Sequence, residues 1–203
     1  MLQDKIKTLI KDSINTKESL LKDEVTLQEI ESCVALLLTS FKNGSKVYFC
    51  GNGGSAADAQ HLAAELSGRF YLDRDALPAE ALHVNSSYMT AVANDYSYDV
   101  VYSRLVNGFG NKGDILIGLS TSGNSRNIIK AIEAAKEKGM VTIGFTGRSG
   151  GSMLDICDYI LRVPSDITPR IQESHILLGH IICELVEEQY FGSTEHMIQS
   201  ATS

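Results

Sequence analysis

The sequence has few cysteines and no cluster of basic residues. Its four cysteines, Cys33, Cys50, Cys157 and Cys183, lie far apart and form no CxxC pair, which argues against a disulfide framework or a zinc ribbon. The 18 basic and 25 acidic residues give a net charge of −7, and Lys and Arg are scattered along the chain. Because nucleic-acid binding depends on clustered cations that neutralise phosphates, we expect no nucleic-acid partner.

Long apolar runs are also absent. The longest, around residues 33–41, is much shorter than the roughly 18 residues that span a bilayer. Residues 1–12 mix charges with single apolar residues, unlike a signal peptide. We therefore expect a cytoplasmic protein with no membrane partner. Because 43% of the residues are hydrophobic and the chain has 203 residues, we expect a single folded domain over 1–203.

The first 42 residues have the apolar periodicity of helices. Apolar residues recur at three- and four-residue spacing over 2–14 and again over 27–41, and no Pro or Gly interrupts them before Gly44. The pattern predicts two amphipathic helices in an N-terminal extension over 1–42. These helices either cap the fold or pack on a neighbouring subunit.

Short β-rich runs alternate with helical stretches after Gly44. The predicted strands are 46–50, 81–84, 114–119, 141–145 and 159–163, and the predicted helices are 55–70, 87–107 with a break near Asn94, 126–138, and 169–189 with Thr168 as its N-cap. Strands separated by helices pair in parallel through right-handed crossovers. The prediction is a doubly wound, flavodoxin-like α/β fold with a five-stranded parallel sheet, helices on both faces and preceding N-terminal helices.

Residues 51–55 (GNGGS) follow the first predicted strand and have the composition of a ligand loop. Glycines let the backbone approach a ligand closely, and the next helix points free N–H groups at it. With Ala56 the loop also matches a relaxed dinucleotide-binding pattern. The next strand ends in Val84-Asn85-Ser86 and lacks the acidic residue that holds a ribose, so a dinucleotide-dependent reductase is disfavoured.

Residues 120–125 (STSGNS) form a second candidate loop, after the third predicted strand. Four hydroxyls and the N-terminal amides of the next helix can converge on one anion, and a phosphate monoester suits them. The loop lacks the GK(S/T) of a Walker motif, so nucleotide and magnesium chemistry is not indicated. The alternative is a polar turn in which Ser125 caps the helix.

Two predicted helices carry side chains suited to acid–base chemistry or metal binding. His61 and Glu65 are four residues apart on one helix face, close enough to share a proton or a metal ion. Gln172 and His180 are about two turns apart on the last helix. Taken singly, each is more simply explained as a satisfied polar group. The pattern has functional meaning only if both helices face the two loops.

Together these motifs resemble the sugar isomerase (SIS) domain family. The stretches CGNGGSAADAQHLAAELSGRF, ANDYSYD, STSGNSRNI and RIQESHILLGH carry the resemblance, which covers nearly the whole chain. Within the family the likeness is greatest to members that isomerise sedoheptulose 7-phosphate. It implies an aldose–ketose isomerase that forms D-glycero-D-manno-heptose 7-phosphate through an enediolate, for lipopolysaccharide, capsule or glycoprotein synthesis.

The resemblance also implies roles for individual residues. Glu65 and His180 would be the catalytic acid–base pair, while His61, Glu65, Gln172 and His180 would bind one zinc ion per subunit. A zinc-bound carboxylate is a weaker base, so these two assignments are alternatives. The substrate-binding residues would be Asn52, Gly53, Gly54, Ser55, Glu65, Asn94, Asp95, Ser120, Thr121, Ser122, Ser125 and Gln172. A homotetramer with active sites at subunit interfaces is also implied.

A non-catalytic function is the alternative to an isomerase, and the sequence departs from the family pattern at one position. Close relatives include adaptors that bind a replication initiator, and a sugar-phosphate sensor is a further alternative. Such proteins need no acid–base groups, so the presence of Glu65 and His180 together with His61 and Gln172 favours an enzyme. Pro169 precedes the Arg of the RIQ motif, where some relatives have a carboxylate, and Asp166 is a carboxylate close by.

Overall fold

Within residues 1–192, which the computed structural model describes, five parallel strands form one sheet. The strands are β1 (Val47–Gly51), β2 (Ala79–Ala81), β3 (Ile115–Leu119), β4 (Val141–Thr146) and β5 (Tyr159–Arg162), and the helices are α1 (Leu2–Leu21), α2 (Glu24–Lys42), α3 (Gly54–Ser67), α4 (Ser86–Asp95), α5 (Val101–Phe109), α6 (Arg126–Glu137), α7 (Met153–Ile156) and α8 (Thr168–Phe191). Their spatial order is β2-β1-β3-β4-β5, and every pair is parallel. This confirms the predicted doubly wound topology, whose switch point lies between β1 and β3.

Apolar side chains cover both faces of the sheet. One core cluster joins the strands to α2, α3 and α8, and the other joins them to α4, α5, α6 and α7. Successive residues point to opposite faces, so Val47 and Phe49 join the first cluster while Tyr48 and Cys50 join the second. Every residue of β1 and β3 is buried, which explains why these strands are continuously apolar.

The two N-terminal helices differ in what they bury. α2 contributes Ile30, Leu37 and Phe41 to the first cluster, so this half of the predicted extension packs on the core. α1 buries only Leu20 and lies along α8, where the Ser13 hydroxyl donates to a carboxylate of that helix. The other apolar side chains of α1 are exposed, and they include Leu2, Ile6, Leu9, Ile10 and Ile14.

Some predicted boundaries differ from the structure. β2 ends at Ala81 instead of continuing to residue 84, because the Val84 amide donates back to the Ala81 carbonyl as the chain turns. Thr168 is the first residue of α8 and not its N-cap, a position that Ile167 takes without a side-chain cap. α7 was not predicted, since a helix this short shows no periodicity.

Three of the four cysteines are buried, and Cys157 is partly buried. Burial raises the pKa of Cys33 and of Cys183 to about 12, so these thiols remain protonated. No helix among residues 1–192 has the length and apolarity to cross a membrane. The organisation as one domain over 1–203 stays a prediction, and residues 193–203 lie outside the described residues.

Candidate active site

The two predicted ligand loops start side by side on the sheet. β1 and β3 are neighbours, and Gly51 at the end of β1 pairs with Leu119 at the end of β3. α3 begins at Gly54 and α6 begins at Arg126, directly after these loops. The N-terminal ends of both helices therefore bring unpaired backbone N–H groups to the switch point, where doubly wound folds bind ligands.

The first loop is shaped by its glycines. Gly53 has a φ of 57°, in the left-handed region that favours glycine, and it stands immediately before α3. Gly54 lies under the amide of Gln172, whose Nε2 atom would be 2.6 Å from a Cβ at this position. The loop thus brings Gln172 of α8 beside the start of α3.

Asn52, in the same loop, is tied to two residues that the sequence analysis did not predict. Its side-chain amide pairs with that of Asn127 in α6, with N···O distances of 2.9 and 2.8 Å. The Tyr98 hydroxyl donates to Asn52 Oδ1 at 3.1 Å. The one sequence signal for Asn127 was a polar residue on the apolar face of its helix, four residues before Ala131, and no signal pointed to Tyr98.

Hydroxyls of the second loop face each other. Ser120 is buried, and its Oγ lies 3.0 Å from Oγ of Ser125. Ser125 occupies the N-cap position of α6 but makes no side-chain cap bond, so the capping alternative does not describe its hydroxyl. Ser122 Oγ accepts from the Asn124 amide at 3.2 Å, which holds the loop in its turn.

A cleft of about 250 Å³ adjoins the second loop. Thr121 and Ser122 line it together with Arg148 and Asp166, which form an exposed ion pair at 3.0 Å. Asp166, the carboxylate that the sequence analysis noted near Pro169, therefore lies beside this loop and pairs with Arg148.

His61, Glu65 and His180 form one cluster. His61 Nε2 lies 3.0 Å from Glu65 Oε1 and 3.0 Å from His180 Nε2. One ligand atom from each of the three side chains lies within 4.8 Å of the other two. α8 comes this close to α3 because residue 179 is glycine: a Cβ there would be 2.4 Å from Leu62 Cδ1. The two predicted functional helices therefore meet at these side chains.

A buried ion pair fixes α3 against α8 near this cluster. Arg74 Nε lies 2.9 Å from Glu187 Oε2, and both side chains are only 3% exposed. Arg74 also donates to the carbonyls of Glu65 and Leu66 at the end of α3, and Glu187 accepts from the amides of residues 70–72. Burial raises the pKa of Glu187, but these amides and Arg74 more than offset it, so the pKa lies below its usual value.

Asn94, Asp95 and His175 make other contacts. Asn94 and Asp95 end α4, where the Asn94 amide donates to the Asp95 carboxylate at 3.0 Å, and the chain continues from there to Tyr98. His175, on the same helix as His180, faces elsewhere: its Nε2 lies 3.1 Å from the Thr146 carbonyl oxygen. Burial lowers the pKa of His175 to about 4, so this imidazole is neutral and structural.

The chain is similar to known proteins in both sequence and structure. The model of the SIS domain family matches residues 11–147. A phosphoheptose isomerase of Clostridium acetobutylicum is 54% identical over 187 residues, which are 92% of this chain and 95% of that protein. One of Aneurinibacillus thermoaerophilus is 53% identical over 190 residues, covering 94% and 96%. The solved structure of a phosphoheptose isomerase from Neisseria gonorrhoeae has 42% identity and a TM-score of 0.87, covering 93% of this chain and 100% of that one.

Proposed function

The chain belongs to the SIS domain family, and on this basis we propose that it is an aldose–ketose isomerase of sedoheptulose 7-phosphate. The product would be D-glycero-D-manno-heptose 7-phosphate, in the first step of ADP- or GDP-heptose synthesis for lipopolysaccharide, capsule or glycoprotein. The observation that carries the proposal is the meeting of His61, Glu65 and His180, which brings acid–base groups of α3 and α8 together, with Gln172 of α8 against Gly54 of the first loop. A non-catalytic adaptor or sensor would have no use for these groups.

Glu65 and His180 suit the two proton transfers of the reaction. Isomerisation moves a proton between C1 and C2, while the carbonyl oxygen must gain one. The Glu65 carboxylate is an acceptor and would take the carbon-bound proton. A ring nitrogen of His180 can donate and would protonate the oxygen. Each such group is worth about 10²–10⁴ in rate.

The same cluster fits a divalent metal ion, and we propose that this ion is zinc, one per subunit. Two imidazole nitrogens and a carboxylate oxygen are common zinc ligands, and tetrahedral bonds of about 2.0–2.2 Å separate such ligands by about 3.3–3.6 Å. The 3.0 Å separations in the cluster need only a small expansion to accept it. Gln172 would supply the fourth ligand, as the family resemblance implies. When bound, zinc would polarise a substrate oxygen as a Lewis acid.

A coupled assay tests the proposed function. The purified protein is expected to convert sedoheptulose 7-phosphate to an aldose, to lose most of its turnover after chelation, and to regain it with added zinc. Turnover that survives complete metal removal would contradict the zinc proposal. Binding of the sugar phosphate without turnover would contradict the isomerase and favour a sensor.

Phosphate recognition should depend on the facing hydroxyls of the second loop. Replacing Ser120 or Ser125 by alanine removes one hydrogen bond to a charged group, worth about 1.5–3 kcal/mol, so KM is expected to rise about 10–100-fold. Ser32→Ala is a matched control, because that hydroxyl bonds only within its own helix at 2.9 Å and is exposed. Dephosphorylated sedoheptulose should be a very poor substrate. Equal turnover of both sugars would contradict the assignment of the loop.

We propose that the protein is a homotetramer whose active sites lie at subunit interfaces. The exposed apolar stripe of α1 supports this, because self-complementary apolar surfaces are usually covered by symmetric association. Ile10→Glu, on that stripe, is expected to reduce the tetramer to smaller and less active species. Thr8→Glu, on the polar side of α1, should leave the assembly unchanged. Light scattering that shows a fully active monomer would contradict the proposal.

A further inference from the structure

Two polar residues outside the predicted motifs control the side chain of Asn52. Asn127 belongs to α6, which follows the second loop, and Tyr98 lies in the 3₁₀ turn Tyr98–Val100 between α4 and α5. Both bond to the Asn52 side chain. We infer that Asn127 and Tyr98 are positioning residues that fix the Asn52 amide as a hydrogen-bond donor to an oxygen atom of the sugar. The inference rests on the proposed isomerase function.

The orientation of the Asn127 amide follows from a backbone donor. The Ile128 N–H donates to Asn127 Oδ1 at 3.0 Å, and a backbone N–H can only donate. The atom that it meets must therefore be the oxygen, so the Asn127 nitrogen faces Asn52 Oδ1. The reciprocal pair then places the Asn52 nitrogen against Asn127 Oδ1. The hydrogen-bond network thus sets which side of the Asn52 amide is the donor.

These hydrogen bonds also determine which donor or acceptor positions of the Asn52 side chain remain free. Its Oδ1 has two acceptor positions, and Asn127 and Tyr98 fill both. Its Nδ2 has two hydrogens, of which one is committed to Asn127. The remaining N–H would meet an acceptor, namely a carbonyl or hydroxyl oxygen of the sugar.

The position of Asn127 makes the pair rigid and links the two loops. Asn127 is 3% exposed, so an amide there without a hydrogen-bond partner would carry an uncompensated desolvation penalty. It is the second residue of α6, two residues after Ser125, the last of the hydroxyl residues that we assign to phosphate. The helix that would hold the phosphate therefore also orients the residue that would contact the sugar.

A double-mutant cycle tests the inference. Asn52→Ala and Asn127→Ala are each expected to lower kcat/KM about 10–100-fold, mainly through KM. If Asn127 acts through Asn52, the double variant should be no worse than Asn52→Ala. A merely structural role of Asn127 would make the two losses multiply, and that result would overturn the inference.

Tyr98→Phe provides a second cycle that does not disturb the core, because Tyr98 is 50% exposed. Loss of its hydroxyl should lower kcat/KM about 3–10-fold in the wild type and not at all in Asn52→Ala. The matched control is Tyr96→Phe, two residues away, where the ring stacks on Arg104 and no change is expected. An unchanged Tyr98→Phe, or an equal loss in both backgrounds, would contradict the role of Tyr98.

The same variants are also compared by the dissociation constant of sedoheptulose 7-phosphate, measured by calorimetry. This readout separates the inference from the function on which it rests. A wild-type protein without turnover would overturn the proposed isomerase function. Even then, binding losses that do not multiply in the double variant would support the hydrogen-bond network, and losses that multiply would refute it.

Discussion

Glu65→Gln and His180→Gln are each expected to lower the turnover of sedoheptulose 7-phosphate by about 10²–10⁴-fold while the protein stays folded. At position 65, glutamine has nearly the shape of glutamate but cannot take up a proton. At position 180, glutamine has no titratable nitrogen to replace that of the imidazole. Neither side chain belongs to the buried core, since Glu65 is 23% exposed and His180 is half-buried, so these replacements should not disturb the core. The measurements are kcat and the thermal midpoint.

Glu184→Gln is the matched control for this pair of variants. Glu184 lies on α8 one turn after His180 and is exposed, so its replacement should leave kcat unchanged. If Glu65→Gln or His180→Gln keeps more than about a tenth of wild-type turnover, its assignment as an acid–base group is wrong.

Metal content, measured on the same variants, separates the two alternatives for Glu65. Loss of turnover with full metal content would indicate an acid–base group. Loss of both together would indicate a ligand, and His61→Gln should then behave in the same way. We expect His61→Gln to lower metal content in either case, because His61 bridges the other two side chains at 3.0 Å each.

The central strands β1 and β3 were predicted to within one residue at each end. β1 and β3 consist of buried residues only, so their apolar runs stand out from the surrounding helices. β2 was placed too late because it is a three-residue edge strand in which only Ala81 is buried. A segment this short shows little alternation of apolar and polar residues, so the bounds of β2 depend on its pairing with β1.

The candidate site was predictable where its spacing is local. His61 and Glu65 are one helical turn apart, so their common face follows from the sequence alone. That His180 joins them depends on how α8 packs on α3, and only the family resemblance suggested it. Asn127 is 75 residues from Asn52, and Glu187 is 113 residues from Arg74. Pairs at such separations follow from the fold and leave no periodicity in the sequence.

The buried pair Arg74–Glu187 gives the second large expected effect. Removing one partner leaves the other charge buried, so Arg74→Ala and Glu187→Gln are each expected to lower the free energy of unfolding by about 3–5 kcal/mol. Arg148→Ala breaks the exposed pair with Asp166, whose side chains are 59% and 73% exposed, and should cost less than about 1 kcal/mol. Denaturant unfolding measures all three variants, and equal losses would contradict the special role of the buried pair.

The lowered pKa of Glu187 adds a dependence on pH. Because its folded pKa lies below the ordinary value of 4.5, the carboxylate stabilises the fold fully above that pH. This contribution is lost as the pH falls through the folded pKa. Glu187→Gln should therefore remove part of the acid sensitivity of the wild type. An unfolding free energy that falls as steeply in the variant would show that other carboxylates dominate.

Loss of the Arg74–Glu187 pair should also affect the geometry of the cluster of His61, Glu65 and His180. Arg74 holds the carbonyl of Glu65, and Glu187 holds the amide of Phe70, whose ring packs on His180 with centroids 5.7 Å apart. Without the pair, Glu65 and His180 are held less firmly relative to each other, and acid–base catalysis depends on their separation. At temperatures well below its thermal midpoint, where the variant is still folded, we expect Glu187→Gln to lower kcat, whereas Glu184→Gln, also on α8, should not. A folded Glu187→Gln protein with wild-type kcat would mean that the pair stabilises the fold without positioning the cluster.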